Sequence, residues 1–168
     1  MAEEKLFAQV ILKSDQLAAI GCLAIHSSSL EERIAKAIWA TCKLDEKIGR
    51  IFTDNTQLAG KIETLQNLMK YRLNSDAAKF AFKDLYERIK GAIPDRNTVI
   101  HGSWSLLVEM SEVTGEEFRM TPQATRTRHG QQDRILDAAH IMEIARLFSA
   151  LEHHLDEFLT QYKSELSP

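Results

Sequence analysis

Ile141, Ile144, Ala145, Phe148, Leu151, Leu155, Phe158 and Leu159 fall on one face of a 3.6-residue period, with polar residues on the opposite face. No other feature constrains the fold as strongly, because an unbroken stripe of this length has to be buried as a helix against other helices. The rest of the chain is compatible with that demand. Three prolines and seven glycines in 168 residues leave room for long regular elements, and no repeat, linker or low-complexity tract interrupts them. A chain of this length reads as a single domain over 1–168, able to bury roughly 70% of the surface its unfolded form exposes.

Further helices follow from the same period. Leu17, Ile20, Leu23 and Ala24 keep helical spacing over Asp15–His26. Ser28 or Ser29 then offers an N-cap, with Glu31 and Glu32 where carboxylates favour a helix start. Leu30, Ile34, Ile38, Leu44, Ile48 and Ile51 predict one long second helix, with a possible interruption at Gly49. Leu58, Ile62, Leu65 and Met69 predict a third helix. Asn74-Ser75-Asp76 forms a cap cluster, and Ala78, Phe82, Leu85 and Ile89 predict a fourth helix that Gly91 and Pro94 should end. Leu6 to Leu12 is apolar without a clear period and fits helix or strand.

After Gly102 the period changes. Trp104, Leu106, Val108 and Met110 alternate, as do Phe118 and Met120, with Thr114-Gly115 between them as a turn. This predicts a β-hairpin near 104–121, inserted before the long C-terminal helix, followed by a loop over Thr121–Gln132. The fold expected is therefore mainly α, an up-and-down bundle of antiparallel long helices with one short β-hairpin insertion.

Charge and cysteine usage narrow the class of partner. A net charge of −3 argues against coating nucleic acid through bulk charge, although local patches can still bind it. The start, Met1-Ala2-Glu3-Glu4-Lys5, is acidic where a secretion signal would be basic, and no apolar run approaches a membrane span. Cys22 and Cys42 have no Cys-x-x-Cys spacing. A reduced, cytoplasmic protein away from membranes is the simplest expectation.

Arg96-Asn97-Thr98-Val99-Ile100-His101, followed by Gly102-Ser103-Trp104, carries the chemistry. It puts a permanent cation, an amide and an imidazole within six residues, the groups a metal-free phosphodiester cleavage requires. The expected helix break at Gly91 and Pro94 would let these side chains project beyond the bundle. Five residues advance a helix by 500°, which sets Arg96 and His101 roughly 140° apart, while Asn97 and His101 share a face. On that geometry a site composed from two copies is more natural than a site on one helix.

The segment resembles the motif of the HEPN superfamily (higher eukaryotes and prokaryotes nucleotide-binding domain): an Arg, four to six intervening residues and a His, with a polar residue directly after the Arg. Arg96, Asn97 and His101 match it, and the helical surroundings extend the resemblance over most of the chain. The resemblance implies a HEPN-type helical bundle that dimerises with its motifs in a shared cleft. It implies a metal-independent endoribonuclease without cofactors, acting as a toxin or defence effector. His101 would exchange a proton with a ribose 2′-hydroxyl or a leaving 5′-oxygen, and Arg96 would hold the phosphate. Asn97 would orient His101 or bind a phosphate oxygen. The implied partners are a second copy, RNA, and an antitoxin or nucleotidyltransferase-like protein. The alternative is a non-catalytic module of the same type that dimerises and binds a nucleotide, RNA or a protein. Without the resemblance, Asn97 reads as a helix cap, His101 as a donor to a carbonyl and Arg96 as a solvated charge.

Three other groups carry residue types with chemistry of their own. Arg119, Arg126, Arg128, His129 and Arg134 make a local positive stretch that could meet RNA phosphates, though such clusters are ordinarily solvated loops. Cys22 and His26 stand four apart, a spacing that can bind a metal, but no third ligand is evident. His153-His154, beside Glu152 and Asp156, reads as the polar face of the last helix.

Overall fold

The computed structural model describes residues 12–110, 118–125 and 136–166, and it is mainly helical. Residues 1–11, the Thr114-Gly115 turn and the positive-stretch residues Arg126, Arg128, His129 and Arg134 lie outside the described residues, and β2 below carries Arg119 as backbone.

The first helix, α1 (Ser14–Cys42), is continuous. The expected N-cap at Ser28 or Ser29 is wrong: both serines are interior, and no break divides the segment. The reason is packing. Leu23, Ser27, Leu30 and Ile34 are fully buried in succession on one face, so the tertiary stripe runs straight through the serines and overrides their local preference for a cap. At the start, Gln16 reaches back to accept the Lys13 backbone N–H at 3.0 Å and donates to the Leu136 carbonyl at 3.3 Å.

The helix stops after Cys42, where Lys43 takes a left-handed conformation (φ 57°) and its N–H returns to carbonyls in the last turn. The boundary therefore lies at Lys43, not near Gly49. Asp45 caps the next helix, α2 (Glu46–Thr53), by accepting from Ile48 N–H at 3.0 Å. Gly49 sits inside α2 for a steric reason: a Cβ there would lie 2.4 Å from the Trp39 ring. The Trp39 indole donates to Thr53 Oγ1 at 3.1 Å, and the Arg50 guanidinium lies 5.6 Å from the Trp39 ring centroid.

Helix α3 (Leu58–Arg72) buries Leu58, Ile62, Leu65 and Met69 as the period predicts. Ser75 then caps α4 (Asp76–His101), its Oγ accepting from Ala78 N–H at 3.2 Å. Helix α4 passes through Gly91 and Pro94 without ending, contrary to the expectation that these residues stop it. Proline removes one backbone donor and strains the preceding turn, yet Ala92, Ile93 and Val99 on either side are buried. Burial of that downstream face holds the helix together across the defect.

Strands β1 (Ser103–Met110) and β2 (Phe118–Thr125) pair antiparallel, with Ser103 opposite Thr125 and Met110 opposite Phe118. The ladder includes Thr121–Thr125, so the expected loop over Thr121–Gln132 does not begin at Thr121. Pro122 lies there, and in a two-stranded sheet each strand keeps a free edge where a residue without N–H is tolerated. Asp137 caps α5 (Ala138–Gln161) by accepting from His140 N–H at 2.8 Å, and a short α6 (Lys163–Leu166) follows.

Contacts between elements fix their directions. Ser29 Oγ donates to Glu152 at 2.6 Å, Arg33 pairs with Asp156, and Gln16 meets Leu136, so α1 and α5 run parallel. Lys61 pairs with Glu31 at 2.6 Å and Arg72 donates to the Thr41 carbonyl at 3.0 Å, so α3 is also parallel to α1. Residues 43–57, which include α2, carry the chain back between them. Helix α4 runs against α5, with Arg88 at 3.1 Å from His154 and the Phe82 and Phe158 rings 5.2 Å apart. The expected antiparallel packing of the long helices thus holds for α4 against α5 but not for α1 against α5. Among the described residues, no helix is long and apolar enough to cross a membrane.

Candidate functional site

The last two turns of α4 and the middle of α1 form the site. Arg96 is half-buried, with Asn97 beside it and His101 exposed at the helix end. Arg96 Nη1 lies 3.0 Å from His101 Nε2 and donates to Asn97 Oδ1 at 2.9 Å. Its Nε is 3.5 Å from Ser27 Oγ on α1. The structure therefore brings all three motif residues together on one chain.

This corrects the angular argument. The 140° separation describes where the Cα–Cβ bonds point. A guanidinium sits at the end of a long flexible stem, and that stem lets Arg96 wrap along the last turn to reach His101.

The chemistry of the Arg96–His101 contact follows from donor counting. A guanidinium has five N–H donors and no acceptor, so His101 Nε2 must accept. While the contact lasts, Nε2 carries no proton, and a neutral ring holds its proton on Nδ1. The arrangement thus presents a ring nitrogen with a lone pair beside a permanent positive charge. Among the described residues Arg96 forms no salt bridge, and Ser27, Asn97 and His101 are all neutral acceptors.

Ser27 was missed by sequence reasoning. It is fully buried, donates to the Ala24 carbonyl at 3.2 Å and presents its oxygen to Arg96. A signal was available, because Leu23, Ser27, Leu30 and Ile34 follow helical spacing, and a serine in register with three large aliphatic residues is an anomaly on a core face.

The remaining candidates are dispersed. Cys22 and His26 are half-buried on α1, and among the described residues no three His, Cys, Asp or Glu side chains form a metal-binding group. Cys22 and Cys42 lie on one continuous helix, separated by about 30 Å of rise, so they cannot bridge within a chain. His153 approaches Glu157 at 3.2 Å, while His154 faces Arg88.

Comparison with protein-family models, curated proteins and solved structures finds no match to this chain.

Proposed function

We propose that the chain is a metal-independent endoribonuclease of HEPN type, with Arg96 and His101 as its reacting pair and Asn97 and Ser27 positioning Arg96. One observation carries this reading: a guanidinium held 3.0 Å from an imidazole nitrogen that keeps its lone pair. A phosphate oxygen would take the guanidinium and leave Nε2 free. Nε2 then removes the proton of the ribose 2′-hydroxyl, and that oxygen attacks phosphorus. The bond from phosphorus to the 5′-oxygen breaks, and the 5′-oxygen takes a proton from an acid. The products are a 2′,3′-cyclic phosphate and a 5′-hydroxyl. A second copy of the chain would supply the acid, its own His101, in a composite site.

Self-association has independent support on α1. From Gln16 to Leu30 the helix carries no Asp, Glu, Lys or Arg, yet Leu17 and Ile25 are 47% and 68% exposed. An uncharged, partly apolar helix face of this kind is what a homodimer covers, and Ser27, which meets Arg96, belongs to the same stretch.

The test is RNA cleavage by the purified protein in chelator. Activity that persists without metal, yields a cyclic phosphate and stops when the cleaved position is 2′-deoxy supports the enzyme. The closed state of the pair favours a second reading, a non-catalytic module binding RNA, a nucleotide or an antitoxin, because Arg96 already occupies the lone pair that catalysis would use. Cleavage by His101→Ala at the wild-type rate would assign the activity to another protein in the preparation and leave the module reading.

A further inference from the structure

The α3–α4 junction holds a second feature, far from the motif. A crevice of about 300 Å³ opens between the end of α3 and the start of α4, lined by Gln66, Met69, Leu73 and Phe82, with Lys70, Lys79 and Lys83 around it. Met69, Leu73 and Phe82 are almost fully buried, so the floor is apolar and continuous with the core. All three lysines are exposed. Lys70 Nζ reaches the neutral Asn67 amide at 3.4 Å and feels Glu63 at longer range. Lys79 feels Glu165, but that carboxylate is already engaged: it accepts from the backbone N–H groups of Asn74 and Ser75 and from Ser75 Oγ.

Some lysines and arginines elsewhere on this surface meet carboxylates, as in Lys36–Glu32 and Arg50–Glu46. Around the apolar hollow, three ammonium groups stand together with no salt bridge among the described residues, although Lys70 feels Glu63 and Lys79 feels Glu165.

We infer that this crevice docks an acidic amphipathic segment of a protein partner, which inserts one apolar side chain onto Met69, Leu73 and Phe82 and sets flanking carboxylates on Lys70, Lys79 and Lys83. Charge selects the occupant. The chain carries a net charge of −3, so a local trio of lysines attracts acidic groups that the remaining surface repels. A nucleic-acid strand fits less well, because the floor of Met69, Leu73 and Phe82 is almost fully buried and offers no exposed ring on which a base could stack. The site is some eighteen residues along α4 from the Arg96–His101 pair, roughly 27 Å, so the inference stands or falls separately from ribonuclease activity.

The probe is a fluorescein-labelled twelve-residue peptide of Asp, Glu, Leu and Phe with its apolar residues at helical spacing, read by anisotropy on the full chain. The comparison probes are a peptide of equal charge in which Leu and Phe become Ser, and an oligouridylate. We expect the amphipathic peptide alone to bind, more weakly as salt rises. Lys79→Glu with Lys83→Glu should weaken it at least about tenfold, or 1.4 kcal/mol. Gln66→Trp, which fills the mouth from a half-exposed position, should also weaken it while leaving the melting temperature and any RNA cleavage unchanged. Equal binding of the Ser-substituted peptide, binding of oligouridylate that the same lysine changes abolish, unchanged affinity in both variants, or no binding of the amphipathic peptide would each overturn the inference.

Discussion

Helix α4 carries two polar clusters built on opposite rules. Upstream, Tyr86 donates to Glu63 at 2.6 Å, Lys90 donates to Tyr86 at 2.9 Å and Lys90 pairs with Glu63 at 3.1 Å. Charge is neutralised within that cluster. The carboxylate is held below its usual range, first by the Tyr86 hydrogen bond and then by Lys90, while the Lys90 ammonium is held above its own by the same two groups. Downstream, the hydrogen-bond partners of Arg96 among the described residues, Ser27, Asn97 and His101, are neutral. The first arrangement ties α3 to α4. The second ties α4 to α1 more weakly and leaves a cation beside a titratable ring.

Breaking each cluster should separate stability from chemistry. His101→Ala should lower RNA cleavage by roughly 10²–10⁴-fold, the usual worth of a positioned proton-transfer group, while the melting temperature stays near wild type because the ring is exposed. A comparable loss of folding in that variant would show that the downstream cluster is structural after all. Ser27→Ala should give a smaller loss of cleavage, on the order of tenfold, with Ser27→Thr restoring part of it. Cleavage unchanged by Ser27→Ala would remove that residue from the positioning of Arg96.

Tyr86→Phe should do the reverse. It deletes the hydroxyl that both Glu63 and Lys90 use and should cost about 1–3 kcal/mol in urea unfolding, as for a hydrogen bond to a charged group. Cleavage in native buffer should not change. The smallest effect is in pH. Because Glu63 is held below its ordinary 4.5, its stabilising contribution is present above that value and is lost as pH falls through the lowered one. Glu63→Gln should therefore flatten the acid limb of stability against pH and leave the neutral region nearly as steep as before. An identical acid limb in that variant would place the acid-sensitive group elsewhere.

The periodic stripes made much of the scaffold legible. The α3 core residues, the Ser75 cap and the α5 stripe follow from spacing and cap chemistry, because those segments obey local and tertiary preferences at once. Legibility failed where the two conflict. Ser28 and Ser29 invite a helix start, and Gly91 with Pro94 invites a stop, but buried neighbours on both sides outweigh a few tenths to a few kcal/mol of local preference. The motif residues were readable as types, and their assembly was not. Helical angles locate Cβ atoms, whereas the Arg96–His101 contact is set by how a four-bond stem lies against Ser27, which depends on α1 being in place.

Gly49 and Trp39 illustrate a different kind of dependence. A Cβ at position 49 would fall inside van der Waals reach of three indole atoms, the closest at 2.4 Å. Neither residue is therefore an independent variable in the evolution of this chain. Any side chain gained at 49 requires the indole at 39 to shrink or turn first, and a retained indole admits only glycine. In a saturation library the two positions should be accepted or rejected as a pair, so that α2 and the C-terminal third of α1 change by joint steps rather than one residue at a time.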